Sequence, residues 1–193
     1  MTGPRDPAPQ QPQRPQQPQP TLTDGVVTLR PWRPADAEAV FEACQDPEIP
    51  RFVPIPQPYT LDDGRWFVTH SAEESATGPS AHFAIVDPAT DRLLGAISRH
   101  GLAEHRAMFG YWLARDARGR GVATRALRLI VDWTMATTAV IRFELYTDID
   151  NERSGRVALR AGFEPEGIRR AWSLDRDGRP IDAAFYIRLR PPG

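Results

Sequence analysis

Two periodicities divide the chain into predicted helices and strands. Apolar residues three or four apart indicate amphipathic helices, whereas short runs of β-branched and aromatic residues between turn signals indicate strands. The predicted helices are 34–45, 60–77, 122–137 and 151–161. The predicted strands are 26–30, 81–86, 93–98, 107–113, 140–146, 163–174 and 182–189. The proline-containing segment 47–58 is predicted as an irregular loop, and 100–106 as a polar connection.

The order of these elements favours one α/β (α+β) domain, in which helices cover a mixed sheet. The chain has 193 residues, enough for a single domain with a substantial core. Its first segment, Met1 to Asp24, is rich in proline and glutamine and buries little apolar surface. We therefore expect a disordered tail over 1–24 and a folded domain over 25–193.

Charge and composition exclude several classes of function. With 24 basic and 25 acidic residues the net charge is −1, so bulk charge suggests neither a nucleic-acid nor a membrane partner. Every basic residue is arginine, which rules out a P-loop lysine or a Schiff-base lysine. Cys44 is the only cysteine, so an internal disulfide or multi-cysteine metal site is impossible. Without a membrane span or a secretory signal, we expect a cytoplasmic protein with no metal site.

A glycine-rich turn between strand 107–113 and helix 122–137 is the strongest candidate for an anion site. The turn reads Arg118-Gly119-Arg120-Gly121. Glycines let backbone N–H groups approach a ligand closely, and a helix N-terminus carries unpaired N–H donors and a partial positive charge. These features predict phosphate binding. A Rossmann fingerprint is the less favoured alternative, because its third glycine would fall on Thr124.

Four segments together resemble the GNAT acyltransferases, in particular the group related to the ribosomal-protein N-terminal acetyltransferases. They are LRPWRPADAEAVFEA at 29–43, GYWLARDARGRGVATRAL at 110–127, DNERSGRVALRAGFEPEGIRR at 150–170 and DGRPIDAAFYIRL at 177–189. The glycine loop alone is a weak match, but the loop followed by NxxS, GF and EG in that order is specific. The resemblance implies a mixed, mostly antiparallel sheet with one splayed pair of parallel strands and helices on both faces.

The resemblance also implies acetyl-CoA as the co-substrate. Its pantetheine arm would lie between strands 109–113 and 140–146, and its pyrophosphate would sit on the amides of the glycine loop. Asn151 would bind the pantetheine arm; the alternative is that Asp150 or Asn151 only caps the following helix. The residues predicted to bind the coenzyme are Leu113, Ala114, Arg118, Gly119, Arg120, Gly121, Val122, Ala123, Asn151 and Ser154.

The implied chemistry is direct transfer of an acetyl group to a primary amine in a ternary complex. The N–H of Leu113 would stabilise the oxyanion, and Ser154 would protonate the departing thiolate. Relatives often carry a glutamate two residues before the GY of the central strand, where this chain has Met108. A thioether cannot act as a base, so Glu104 and His105 are the nearest substitutes in sequence.

The acceptor and the acyl group are left open by the sequence. The resemblance suggests either a protein N-terminus or a small-molecule amine as acceptor, on an enzyme that is a monomer or a homodimer. A longer donor such as succinyl-CoA is an alternative. The chain could also lack enzymatic activity. Because Met108 replaces the usual glutamate, a non-catalytic module that binds acyl-CoA is the alternative to an acetyltransferase.

Overall fold

The computed structural model describes residues 19–77, 79–103 and 105–191. The strands are β1 (Leu22–Thr23), β2 (Thr28–Arg30), β3 (Ala81–Val86), β4 (Leu93–Ala103), β5 (Arg106–Leu113), β6 (Arg142–Asp148), β7 (Glu164–Leu174) and β8 (Pro180–Leu189). The helices are α1 (Ala37–Cys44), α2 (Glu48–Phe52), α3 (Leu61–Thr77), α4 (Val122–Thr137) and α5 (Glu152–Arg160). Short 3-10 turns at Pro34–Asp36 and Arg115–Ala117 precede α1 and follow β5.

One eight-stranded sheet runs through the domain in the order β1-β2-β3-β4-β5-β6-β8-β7. All neighbouring strands are antiparallel except β5 and β6, which are parallel. Their pairing covers only Arg106–Met108 against Arg142–Glu144, and beyond it the two strands separate. The mixed sheet with one splayed parallel pair is therefore confirmed.

Helices cover both faces of this sheet. On one face, apolar residues of α4 and α5 form a core cluster with Ile97, Phe109 and Phe143. On the other face, residues of α1 and α3 pack against Ala84 and Ala96 of β3 and β4. Successive residues of a strand point to opposite faces of the sheet. Neighbouring residues of β4 or β5 therefore contact different helices, α4 and α5 on one face and α1 and α3 on the other.

A buried ion pair fixes the start of the domain. Arg30 at the end of β2 donates to both carboxylate oxygens of Asp36, each at 2.8 Å. The Asp36 carboxylate also accepts the Arg33 N–H at 2.8 Å, as in a capping box. This carboxylate raises the pKa of Arg30, so the guanidinium is charged throughout the physiological range. The pair orients α1 against the sheet.

Three sequence predictions about element boundaries were wrong. The segment 47–58 contains a helix, α2, because Pro50 falls in its first turn, where an N–H needs no intrahelical acceptor. Strand β4 continues to Ala103, so His100 is a strand residue and not part of a polar connection. The domain also begins before residue 25, since Leu22 and Thr23 pair with Leu29 and Thr28. The predicted tail over 1–18 lies outside the described residues.

Candidate active site

The gap between β5 and β6 leaves backbone groups of β5 without a strand partner. The N–H of Ala114 donates to Leu94 at 2.9 Å and its carbonyl accepts from Ala117 at 3.0 Å. Because backbone groups alternate in direction along a strand, the N–H groups of Leu113 and Tyr111 face the gap instead. Among the residues predicted from the resemblance, the structure thus favours Leu113 over Ala114 for pairing with an extended ligand.

The glycine loop at the end of β5 is open to a ligand. Gly119 and Gly121 have φ values of +74° and +77°, a conformation that glycine adopts without strain. A Cβ at either position would meet no atom within 4 Å, so the loop surface is unobstructed. Within 105–191, no acceptor receives the N–H groups of 119–123, and the first turn of α4 carries no acidic residue. A pyrophosphate fits these requirements.

Arg118 and Arg120, the two arginines of the loop, differ in what they bind. The Arg118 guanidinium donates to the Leu113 carbonyl from Nε at 3.2 Å and from Nη2 at 3.0 Å. Its Nη1 lies 2.8 Å from Asp46, which follows α1. Arg118 therefore ties the loop to β5 and to the α1–α2 connection. Arg120 is exposed, and its Nη1 donates to the Asp116 carbonyl at 3.5 Å, so its guanidinium stays beside the loop.

Helix α5 places two of the predicted residues beside the gap. Asn151 caps the helix, because its Oδ1 accepts the Ser154 N–H at 3.2 Å. This confirms capping and leaves the amide NH2 of Asn151, which lines the cavity, for a ligand. The Ser154 hydroxyl lies 2.9 Å from the Tyr111 hydroxyl. Burial raises the pKa of Tyr111 to about 12, so its phenol stays protonated at neutral pH.

A cavity of about 430 Å³ joins this gap to the face of the sheet covered by α1 to α3. Most of its lining is aromatic or aliphatic, from Trp32, Val40, Phe52, Val53, Ile55, Tyr59, Phe67, Trp112 and Tyr146. The polar side chains in the lining are few, and include His82, Ser98, His100, Asp148, Asn151 and Ser154. A mostly apolar cavity with a few convergent polar groups is typical of a small-ligand site.

Of the two loop residues that the sequence suggested as the base, only His105 is described by the structure, and it does not line this cavity. Glu104 lies outside the described residues. His105 is exposed in the turn before β5, where its carbonyl accepts the N–H groups of Ile141 and Arg142, both at 3.0 Å. That turn is at the opposite end of β5 from the glycine loop. The role of either residue stays a prediction from sequence.

Sequence reasoning missed three residues that the structure places in the lining: Tyr111, Ser98 and His100. Their only signal in the sequence is alternation, since Ser98 and His100 are two apart on one strand. The segment 100–106 was assigned to a connection, and this hid the pattern. Cys44 also lines the cavity, where burial raises the pKa of its thiol to about 11, as expected for a packing cysteine.

Two classes of site are absent from the described ranges. Within 19–77, 79–103 and 105–191, no three His, Cys, Asp or Glu side chains gather as a metal site. No helix in these ranges is long and apolar enough to cross a membrane.

Comparison with known proteins agrees with the geometry. The family profile described as "Acetyltransferase (GNAT) domain" matches residues 27–164. The uncharacterized N-acetyltransferase YoaA of Bacillus subtilis is 25% identical over 174 residues, which are 89% of this chain and 98% of YoaA. The ribosomal-protein-serine acetyltransferase of Escherichia coli is 34% identical over 101 residues, 51% of this chain and 56% of that protein.

Solved structures show the same fold. RimL, the ribosomal L7/L12 alpha-N-protein acetyltransferase in complex with coenzyme A, superimposes with a TM-score of 0.76 at 21% identity. The match covers 85% of this chain and 94% of RimL. The microcin C7 self-immunity acetyltransferase MccE, in complex with acetyl-CoA and AMP, gives a TM-score of 0.77, also at 21% identity, over 87% and 94% of the two chains.

Proposed function

The chain belongs to the GNAT acetyltransferase family and is an acetyl-CoA-dependent N-acetyltransferase, and from this premise we propose that its acceptor is the α-amine of an amino-acid unit. The unit is either a free amino acid or the first residue of a peptide, and its side chain is apolar. The observation that carries the proposal is the aromatic cavity that opens into the β5–β6 gap. Named relatives also favour α-amines: one acetylates a ribosomal-protein serine, and another is an L-amino acid N-acetyltransferase.

The two reactants would bind on different sides of the gap, acetyl-CoA along the glycine loop and β5 and the amine on the side of α1 to α3. The pyrophosphate would bind the N–H groups of Gly119–Ala123, with Arg120 adding charge, while Arg118 holds the loop in place. The pantetheine arm would then run back along β5 and pair with the backbone of Leu113 and Tyr111. The acceptor would enter from the side of α1 to α3, where the aromatic lining excludes water.

Transfer needs stabilisation of an oxyanion and of a leaving thiolate. An N–H of the β5 edge, that of Leu113, would donate to the oxyanion of the tetrahedral intermediate. The Ser154 hydroxyl, hydrogen-bonded to Tyr111, would donate a proton to the departing sulfur. Both groups are held by backbone or by a capping interaction, so little ordering is needed when the ligands bind.

Thermal melting and thiol release together test this proposal on the full chain. A ligand at about 100 times its Kd stabilises by about 2.7 kcal/mol, so acetyl-CoA should raise the Tm by several degrees. NAD should leave the Tm unchanged, and succinyl-CoA tests the longer donor. Free thiol should then appear with peptides that begin with an apolar residue or with apolar amino acids. Acetyl-CoA binding without thiol release across this panel would support a non-catalytic binding module instead.

A further inference from the structure

We propose that His100 is the catalytic residue that takes the proton from the acceptor amine, with Ser98 as its positioning residue. The inference rests on the proposed function, because it assigns a proton acceptor to the same transfer. His100 lies on β4 directly opposite Met108 of β5, at the last residue pair before the gap opens. It lines the cavity on the side from which the acceptor would enter.

The imidazole lies across Gly110, which is two residues beyond the last β5 residue paired with β6. A Cβ at Gly110 would come within 3.0 Å of the His100 Cε1 and 4.0 Å of each ring nitrogen. The His100 ring can therefore occupy this position only because residue 110 has no side chain. The neighbouring residue, Tyr111, directs its N–H to the gap, so His100 stands one residue from the backbone that would hold the pantetheine arm.

Ser98 orients the ring from the same face of β4. Its Oγ lies 3.2 Å from His100 Nδ1 and donates to the Gly110 carbonyl at 3.5 Å. With its proton directed to that carbonyl, the serine oxygen accepts from Nδ1–H. This tautomer leaves the lone pair on Nε2, the nitrogen that can take a proton.

The other acidic or basic side chains around the gap are less suited. Glu144 neighbours Met108, but its carboxylate already accepts a hydrogen bond from Arg142 Nε at 2.5 Å. Asp148 lines the cavity, and burial together with Asp150 raises its pKa. It is the last residue of β6, four residues beyond the last β5–β6 pair, so D148N is included in the test as a comparison.

The surroundings keep His100 neutral and ready to accept a proton. Burial lowers the pKa of His100, and Glu74 of α3 partly offsets this effect. His82 of β3, which lies 3.0 Å from Glu74, also has a pKa lowered by burial. His70 of α3 lowers the pKa of His82 further. Glu144 of β6 lies two strands from His100 in the sheet, opposite Met108, and Cys44, Tyr59 and Asp148 are further titratable groups in the cavity lining. A neutral imidazole near pH 7 can deprotonate an ammonium that enters beside it.

The step balances without any further reactant. The acceptor arrives as R–NH3⁺ and gives one proton to Nε2 of His100, which later releases it to solvent. The free amine attacks the thioester carbonyl, a C–N bond forms, and the C–S bond breaks as the oxyanion collapses. The second proton leaves the nitrogen to water in this collapse. Ser154 gives its proton to the thiolate and regains one from solvent, so the second proton is balanced by the one that the thiol keeps. The products are the N-acetyl compound, free coenzyme A and H⁺.

The test is the pH dependence of kcat/KM in the full chain for the wild type, H100Q, S98A, D148N and H105Q, with H70Q as the matched control. Without its base, H100Q reacts only with the free amine that exists in solution. Its kcat/KM should fall by at least about 100-fold at pH 7 and then rise tenfold per pH unit towards the pKa of the amine. S98A should show a smaller loss with the same profile. H70Q, whose side chain is exposed, should match the wild type.

Other pH profiles would contradict the role of His100. An H100Q profile parallel to that of the wild type would overturn the proposal, and so would the free-amine profile appearing in D148N or in H105Q instead. The Tm and the Kd for acetyl-CoA, measured on each variant, show whether a loss comes from unfolding or from weaker coenzyme binding. If the wild type transfers acetyl to no α-amine, the proposed function is wrong. If the wild type transfers acetyl and H100Q does so equally well, only the role of His100 is wrong.

Discussion

The hydroxyl groups of Tyr111 and Ser154 lie 2.9 Å apart and join strand β5 to helix α5 across the splayed gap. The Ser154 N–H is bound by Asn151, and the phenol of Tyr111 is buried and protonated. A pair of neutral hydroxyls held in this way can donate a hydrogen bond to a developing thiolate without leaving a charge behind. The side of the gap that faces α5 is therefore suited to the leaving group, and the opposite side to the amine.

Removing either hydroxyl should slow turnover without weakening coenzyme binding. One neutral hydrogen bond contributes about 0.5–1.5 kcal/mol, so S154A and Y111F should each lower kcat by about two- to tenfold. Because the two groups act as one unit, the double variant should lose little more than the worse single variant. Steady-state kinetics and the Kd for acetyl-CoA check this. Y186F, which removes another hydroxyl near α5, is the control. Unchanged kcat in S154A would remove Ser154 from the mechanism.

Adding a methyl group to the glycine loop should weaken acetyl-CoA binding specifically. Gly121 and Gly178 have nearly equal φ values, +77° and +78°, and a Cβ at either position would meet no atom within 4 Å. G121A and G178A should therefore cost similar stability, about 1–2 kcal/mol. Only G121A places its methyl group on the predicted phosphate surface. Calorimetric titration should show a raised Kd in G121A alone, and equal Kd values would argue against this loop as the phosphate site.

Breaking the buried ion pair at the start of the domain should be strongly destabilising. The side chains of Arg30 and Asp36 are only 4% and 9% exposed, so D36N leaves a buried guanidinium with the half-exposed Asp91 as its remaining carboxylate, 2.8 Å from Nε. We expect a loss of about 3 kcal/mol in the free energy of unfolding, the low end for breaking a buried pair, because Asp91 still compensates part of the charge. D62N, which breaks the exposed pair between Asp62 and Arg65, should cost less than about 1 kcal/mol. Urea denaturation measures both, and equal losses would contradict the role of burial.

The buried histidines should make the domain less stable in mild acid. Burial is the main reason that the pKa values of His82 and His100 are lowered from 6.5. The unfolded chain then binds more protons than the folded one, so stability is fully present above pH 6.5 and is lost as pH falls through the folded pKa. The free energy of unfolding should drop between pH 7 and 5, and less steeply in H82Q than in H70Q. The same slope in both variants would show that burial of His82 contributes little.

Local sequence signals determined the parts of the site that depend on backbone conformation. The glycines at 119 and 121 are needed for positive φ values, and helix α4 spans 122–137 as its apolar spacing predicts. The hairpin of β7 and β8 around Asp177-Gly178 and the capping of α5 by Asn151 were also predictable from neighbouring residues. These features depend on residues that are close together in the sequence, so the sequence alone predicts them.

Contacts between distant segments were decided only by the tertiary structure. The ion pair between Arg118 and Asp46 joins the loop to the connection between α1 and α2, which lies 72 residues earlier in the sequence. The sequence places His100 in a connection, because nothing near a polar residue in the chain identifies it as part of a strand. Its strand conformation comes from pairing with Met108 of β5. The sequence by itself therefore determined the family, the loop and the coenzyme, through motifs that local backbone chemistry requires. The opposite placement of His100 and Ser154 depends on how β4, β5 and α5 pack, and no local pattern encodes that arrangement.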